Sequence, residues 1–229
     1  MSTPRLVHTT DFVAEAAQLI LDSARAALAG RGLFRLALSG GNTPRPVYAK
    51  VAELGRDLPW DKIQITFGDE RCVPPEDEKS NYRMAKLSLL DAVSIPEGNV
   101  FRMKGEIAPA AAATQYEHQL AAVAARMGEE RYVHDLLLLG IGDDGHTASL
   151  FPGTTALHET TRNVIENHVP QLDTNRITFT YPLINAARHV VFLVGNPKKL
   201  PVVEGILAPG SPYPAAGVKP VNGDVTWLL

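Results

Sequence analysis

One loop of the sequence combines residue types that could move a proton in a confined site. Residues 140–153, GIGDDGHTASLFPG, contain four glycines around two aspartates and a histidine, and they follow the apolar run LLLL at residues 136–139. Glycines allow backbone to pack closely around a ligand, and an Asp-x-x-His or Asp-x-His pair could fix the imidazole tautomer. A lone histidine in a loop is usually a surface or structural residue. Its position directly beyond the most apolar segment favours a functional interpretation, with His146 as the candidate general base.

A second loop, SGGNTP at residues 39–44, could bind an anion at the start of a helix. Its glycines would let the backbone approach a ligand, Thr43 could cap the helix, and the free N–H groups of the helix N-terminus favour negative charge. A tight strand-to-helix turn would need the same glycines, so both interpretations stay open for this loop alone. It matches neither a Walker A loop nor a dinucleotide fingerprint. A phosphate cradle here would use Ser39, Gly40, Gly41, Asn42 and Thr43.

Two further loops place cations after predicted strands. The segment GDER at residues 68–71 contains Asp69 and Arg71, and an arginine suits bidentate recognition of phosphate or carboxylate. Taken alone, this segment is more typical of a solvated turn. The segment GNPKK at residues 195–199 offers Lys198 as a point charge for phosphate, although two lysines at a helix start could also be simply solvated.

Several common catalytic devices do not occur in the sequence. There is no Gly-x-Ser-x-Gly nucleophile elbow, and Arg162 stands where a zinc helix beginning at His158 would need its second histidine. The pair Asp143 and Asp144 lacks the spaced oxygens of a calcium loop. The sequence therefore indicates neither a covalent nucleophile nor a metal site.

Strand-like and helix-like segments alternate along the chain. This alternation predicts a three-layer α/β/α fold with a mostly parallel, Rossmann-like sheet flanked by helices. No linker divides the chain, so we expect one domain over residues 1–229. Because ligands bind beyond the carboxyl ends of parallel strands, the four loops should meet at one sheet edge. The predicted strands cover residues 5–8, 33–38, 63–67, 134–139, 162–168, 176–180, 189–194 and 225–228, the last at an edge, and the main predicted helices cover 11–29, 44–54, 81–90, 108–126 and 202–207.

Composition argues against several other classes of function. The chain has 229 residues, 22 Lys+Arg against 25 Asp+Glu and a formal net charge of -3, so it offers no broad basic surface for nucleic acid. We find no signal-peptide pattern and no apolar run of membrane-spanning length. The single cysteine, Cys72, excludes an intrachain disulfide and suits a reducing compartment. We expect a cytoplasmic monomer or weak homo-oligomer without nucleic-acid or membrane partners.

In their order along the chain, these motifs resemble those of the 6-phosphogluconolactonase family, part of the wider glucosamine-6-phosphate isomerase/6-phosphogluconolactonase group. The similarity spans nearly the whole chain, and DGHTASLFP at residues 144–152 is its most specific segment. The other matching segments are SGGNTP (39–44), GDERCVP (68–74), SNY (80–82), RITFT (176–180) and GNPK (195–198).

The resemblance implies a substrate, a reaction and a set of site residues. The reaction would be hydrolysis of 6-phospho-D-glucono-1,5-lactone to 6-phosphogluconate in the oxidative pentose phosphate pathway, with no cofactor. The resemblance assigns His146 as the base that activates water, with Asp69 and Asp144 as polar or orienting groups at the pocket. It puts the substrate phosphate among the loop at residues 40–43 and the side chains of Arg71, Arg176 and Lys198.

Two alternatives compete with lactone hydrolysis. The related amino-sugar-phosphate deaminase/isomerase branch carries a Glu shortly after the histidine, in a Gly-His-x-Ala-x-Asn-Glu-Pro pattern, where this chain has Leu150-Phe151-Pro152. An apolar side chain cannot take over the proton-transfer or orienting role of a carboxylate. A non-catalytic sugar-phosphate sensor on the same fold would keep the phosphate cradle and would have no need for His146.

Overall fold

Strands and α-helices alternate along residues 3–229, the part of the chain that the computed structural model describes. In chain order they are β1 (Arg5–Val7), α1 (Phe12–Arg31), β2 (Phe34–Leu38), α2 (Pro44–Leu54), β3 (Ile63–Phe67), β4 (Asp69–Arg71), α3 (Asn81–Ser88), α4 (Pro109–Arg126), β5 (Leu136–Leu139), β6 (Val164–Val169), β7 (Thr174–Phe179), α5 (Tyr181–Ile184), β8 (His189–Leu193), α6 (Leu200–Leu207) and β9 (Asp224–Leu228). A parallel sheet has the strand order β1-β9-β8-β5-β2-β3. The predicted fold class, a helix-flanked and mostly parallel sheet, is confirmed.

The parallel sheet separates two apolar cores. Leu136 and Leu138 of β5 belong to the core that contains α1, α2 and α3, whereas Leu137 and Leu139 belong to the core that contains α4 and α6. All four leucines are buried, which explains the unbroken apolar run in the sequence. Because both faces of this strand are covered, the polar side chains that could bind a ligand lie in the loop after it.

A second, antiparallel sheet departs from the expected topology. Its order is β4-β7-β6, and the segments predicted at residues 162–168 and 176–180 belong to it as β6 and β7. Only residues 170–173 connect β6 to β7, which is too few for a parallel crossover and enough for a hairpin. The N–H of Phe179 donates to the carbonyl of Gly68 at 2.9 Å, which fixes this small sheet beside the end of β3.

The last strand also differs from its predicted place. We expected residues 225–228 at an edge, but β9 lies between β1 and β8 and pairs in parallel with both. The edge is taken by β1, because three residues near the start of the chain pair with Thr226, Trp227 and Leu228. Within residues 3–229, no helix combines the length and apolar character that crossing a bilayer requires.

Candidate active site

A cavity of about 660 Å³ lies where β2, β3, β5 and β8 end. The loops after β2, β3 and β5 line it, together with one face of the small sheet. The structure therefore brings together residues far apart in the sequence, as the parallel topology predicted. Of the predicted site residues, those that line the cavity are Ser39, Gly40, Gly41, Asn42, Thr43, Asp69, Arg71, Asp144, His146 and Arg176.

The imidazole of His146 is held by Asp144. The carboxylate Oδ1 of Asp144 lies 2.6 Å from Nδ1 of His146 and also accepts the backbone N–H of His146 at 3.1 Å. Partial burial opposes ionisation of this carboxyl, but the hydrogen bonds from His146 outweigh it and lower the pKa of Asp144. Because an ionised carboxylate only accepts hydrogen bonds, Nδ1 carries the proton. Nε2 is left as the nitrogen that can accept a proton from water.

The surroundings of His146 restrict its ring further. The ring of Phe151 stacks on the imidazole with centroids 4.0 Å apart and planes 22° apart. A Cβ at Gly142 would lie 2.1 Å from Nδ1 of His146, so only glycine allows this approach. The N–H of Gly142 donates to the carbonyl of His146 at 2.9 Å. Ring and backbone are both fixed before a ligand binds.

Asp69 has different partners from Asp144. Its Oδ2 accepts the hydroxyl of Ser149 at 2.6 Å, and its Oδ1 accepts the side-chain amide of Asn81 at 3.1 Å. The residue is 9% exposed. Both carboxylate oxygens are thus engaged by protein donors. The sequence left open which aspartate contacts His146, and the geometry answers that Asp144 does.

Two guanidinium groups face the cavity from adjacent strands. Arg71 of β4 and Arg176 of β7 are direct Cα partners in the small sheet. Burial lowers the pKa of Arg176, and the positive charge of Arg71 lowers it further. Arg71 donates to the carbonyl of Lys79 at 2.5 Å, and Arg176 to the hydroxyl of Thr174 at 3.0 Å. These partners are neutral, so an anion between the two arginines would relieve their repulsion.

The loop after β2 gives the cavity the N-terminus of α2. Gly41 has φ +92°, a conformation that favours glycine. The hydroxyl of Tyr48 donates to the carbonyl of Ser39 and accepts its N–H, each at 2.9 Å, which fixes the start of the loop. Thr43 was expected to cap the helix, but it is itself helical, at φ -60° and ψ -45°, and its side chain makes no capping bond. No side chain caps the first turn of α2, and because Pro44 and Pro46 have no N–H, only Arg45 and Val47 carry N–H groups in that turn.

Lys198 differs from the other predicted residues, because it does not line the cavity and Lys199 does. Residues 197–199 form one 3-10 turn before α6, in which successive side chains point about 120° apart. Nζ of Lys199 donates to the carbonyl of Ile141 and lies 4.0 Å from a carboxylate oxygen of Asp143. The sequence could identify a pair of lysines here but not which one turns inward.

Comparisons with known proteins identify the family of the chain. A family model described as glucosamine-6-phosphate isomerases/6-phosphogluconolactonase matches residues 8–227. The chain belongs to this isomerase/lactonase family. Among curated members, a 6-phosphogluconolactonase from Nostoc sp. is 41% identical over 98% of this chain and 93% of its own length. One from Synechocystis sp. is 46% identical over 89% and 84%.

A solved structure gives the same result for the fold. The 6-phosphogluconolactonase from Trypanosoma cruzi superposes with a TM-score of 0.88 at 31% identity, covering 100% of this chain and 95% of that one. The resemblance of the motifs to this isomerase/lactonase family is therefore confirmed.

Two residues at or beside the cavity have roles that the sequence did not indicate. Glu70 is buried, and its carboxylate accepts the N–H groups of Asn81 and Tyr82 and the hydroxyl of Ser80. Burial raises the pKa of Glu70, although the hydrogen bonds that its carboxylate accepts act in the opposite direction. Glu70 thus fixes the start of α3 beside the cavity instead of lining it. Gln171 lines the cavity from the β6–β7 turn, for which the sequence gave no signal.

Proposed function

We propose that this chain hydrolyses 6-phospho-D-glucono-1,5-lactone to 6-phospho-D-gluconate, a step of the oxidative pentose phosphate pathway. One observation carries the proposal: the carboxylate-held imidazole of His146 shares its cavity with the paired guanidinium groups of Arg71 and Arg176. The curated relatives and the solved structure named above are 6-phosphogluconolactonases, which supports the same substrate. A lactone is an activated ester, so a positioned base and water suffice and no cofactor is required.

His146 acts as the general base in this proposal. Nε2 takes a proton from water while the water oxygen attacks C1 of the lactone, and the carbonyl electrons move onto its oxygen. When the tetrahedral intermediate collapses, the bond from C1 to the ring oxygen breaks, and the imidazolium returns its proton to that oxygen. Asp144 keeps the proton on Nδ1 and stabilises the imidazolium. General-base help of this kind contributes about 10²- to 10⁴-fold in rate.

The phosphate of the substrate binds at the other end of the cavity. Arg71 and Arg176 contact it as paired cations, and the backbone of the loop at residues 39–43, before α2, supplies N–H donors. Lys199 supplies the point charge that the sequence attributed to Lys198, since Lys199 is the one at the cavity. Binding the phosphate away from the reacting carbon orients the lactone ring toward His146.

The two alternatives are less well supported. The isomerase pattern requires a carboxylate shortly after the histidine, whereas Phe151 stacks its apolar ring directly on His146. A sugar-phosphate sensor would use the cations and the loop after β2, but it gives no reason for a base oriented by Asp144. We also propose that the chain acts in the cytoplasm, which suits its single, half-buried cysteine, Cys72. We propose further that it is a monomer or weak homo-oligomer.

An assay with two substrates tests the proposal. Purified chain is offered phosphogluconolactone or glucosamine 6-phosphate separately, and acid and ammonia release are followed, with correction for spontaneous lactone hydrolysis. We expect acid release from the lactone, no ammonia, and loss of most turnover in His146→Ala with product binding retained. Ammonia release would support the isomerase, and binding without turnover would support the sensor. Wild-type turnover in His146→Ala would refute the general base.

A further inference from the structure

The three polar groups of Ser149 are each held by a different strand of the small sheet. The hydroxyl donates to Asp69 of β4 at 2.6 Å, and the N–H donates to the hydroxyl of Thr178 of β7 at 3.1 Å. The side-chain amide of Asn167 of β6 donates to the carbonyl of Ser149 at 2.8 Å. These four residues are buried, Ser149 being 1% exposed. Nothing in the proposed chemistry uses Ser149, although it borders the cavity.

The same face of the small sheet carries the two arginines. Asp69 pairs with Thr178, Arg71 pairs with Arg176, and Arg176 pairs in turn with Asn167. Residues paired across antiparallel strands project to the same face, and so do residues two apart along a strand. The anchors of Ser149 and the cations for the phosphate therefore form one rigid surface.

Ser149 is also close to His146 along the chain. Between them, Thr147 donates its hydroxyl to the carbonyl of Gly140 at 2.8 Å, and Ala148 has φ +46°. A left-handed alanine is strained and persists only where its surroundings hold it. The bonds to the N–H and the carbonyl of Ser149 fix the backbone directly after this alanine.

We propose that Ser149 is a positioning residue that sets the distance between His146 and the phosphate-binding arginines. The inference rests on the proposed general-base role of His146. The small sheet holds the phosphate through its arginines and holds the loop of His146 through Ser149. The distance and angle between the imidazole and the carbonyl carbon of the lactone are therefore fixed. A misplacement of about 1 Å in such an arrangement can cost on the order of 100-fold in rate.

Ser149→Ala tests the proposal by removing only the bond to Asp69. We expect kcat on the phosphorylated lactone to fall about tenfold or more, with KM changed less than about threefold, and a much smaller loss on the unphosphorylated lactone, which the arginines do not hold. Thr66→Val is the matched control, because Thr66 is a fully buried hydroxyl, 2.9 Å from Nε2 of His134, outside the cavity. That variant should lose stability and keep kcat. A Ser149→Ala kcat within about twofold of wild type would overturn the proposal.

A double-mutant cycle separates positioning from general stability. If Ser149 acts through His146, Ser149→Ala adds no further loss of rate in the His146→Ala background. An equal loss in both backgrounds would overturn the proposal. If His146→Ala itself keeps wild-type turnover, the proposed function fails and not merely this inference. If Ser149→Ala does not fold, Thr178→Val replaces it, because valine has a similar volume and cannot accept the N–H of Ser149. The same changes in kcat are expected, and the same results would overturn the proposal.

Discussion

One carboxylate oxygen of Asp144 joins His146 twice, at 2.6 Å through the imidazole Nδ1 and at 3.1 Å through the backbone N–H. The aspartate thereby fixes the imidazole relative to the backbone of its own loop. Asp69, which also lines the cavity, accepts hydrogen bonds from Ser149 and Asn81 instead. Asp144 and Asp69 therefore have separate tasks: Asp144 orients the imidazole of His146, and Asp69 holds the small sheet to the loop.

We expect Asp144→Asn to lower kcat about 10²- to 10⁴-fold, with a smaller change in KM. An amide can present its donor to Nδ1 and stabilise the wrong tautomer, and it cannot stabilise the imidazolium by charge. Steady-state hydrolysis corrected for the spontaneous reaction measures the effect. Asp143→Asn is the control, since the Asp143 side chain is 93% exposed. Comparable losses in both variants would mean that Asp144 acts only through the net charge of the loop.

Gly142→Ala should abolish most activity by displacing His146. The new Cβ would lie 2.1 Å from Nδ1, so the imidazole must leave its place and its bond to Asp144. Gly140→Ala is the comparison in the same loop, because a Cβ there meets no atom within 4 Å. We expect kcat to fall about 100-fold or more in the first variant and far less in the second. Retained activity in Gly142→Ala would show that the imidazole has room to shift without loss.

The sequence predicted the convergence of the site better than its details. The apolar run at residues 136–139 and the polar loops after the predicted strands were sufficient to predict that these loops meet, because parallel strands end at one edge of the sheet. It could not predict the separate small sheet, since short segments such as Asp69–Arg71 carry no periodicity that shows their partner. The inward turn of Lys199 depends on the rotation of one 3-10 turn. The single domain over residues 1–229 stays a prediction.

Arg176→Ala should raise KM for the phosphorylated lactone about tenfold or more and leave the unphosphorylated lactone unaffected. The side chain belongs to the proposed phosphate site, so its loss removes binding that is equal in ground and transition states. Arg102→Ala is the control, since the guanidinium of Arg102 is paired with Glu106 instead of facing the cavity. Equal losses on both lactones would mean that Arg176 supports the reacting end of the substrate.

Lys199→Ala should raise KM more than Lys198→Ala does. The two variants lose the same charge from adjacent positions, but only Lys199 lines the cavity, where its ammonium donates to the carbonyl of Ile141. We expect about a tenfold increase in KM for Lys199→Ala and less than twofold for Lys198→Ala. The comparison requires only steady-state kinetics on the phosphorylated lactone. The reverse order would restore Lys198 as the phosphate ligand.

His134→Gln should make folding stability less dependent on pH on the acid side of neutrality. His134 is fully buried, and burial, with the nearby charge of Arg35, lowers its pKa to about 3. In the unfolded chain this histidine binds a proton with a pKa near 6.5, whereas in the folded chain it stays neutral down to about pH 3. The free energy of unfolding therefore has its full value above about pH 6.5 and falls as the pH is lowered toward 3. Between about pH 7 and pH 5 the wild type should lose about 2 kcal/mol more unfolding free energy than the variant. Urea unfolding at several pH values measures the free energy of unfolding, and His118→Gln, at an exposed position, is the control. Equal losses of unfolding free energy in wild type and His134→Gln would contradict the prediction.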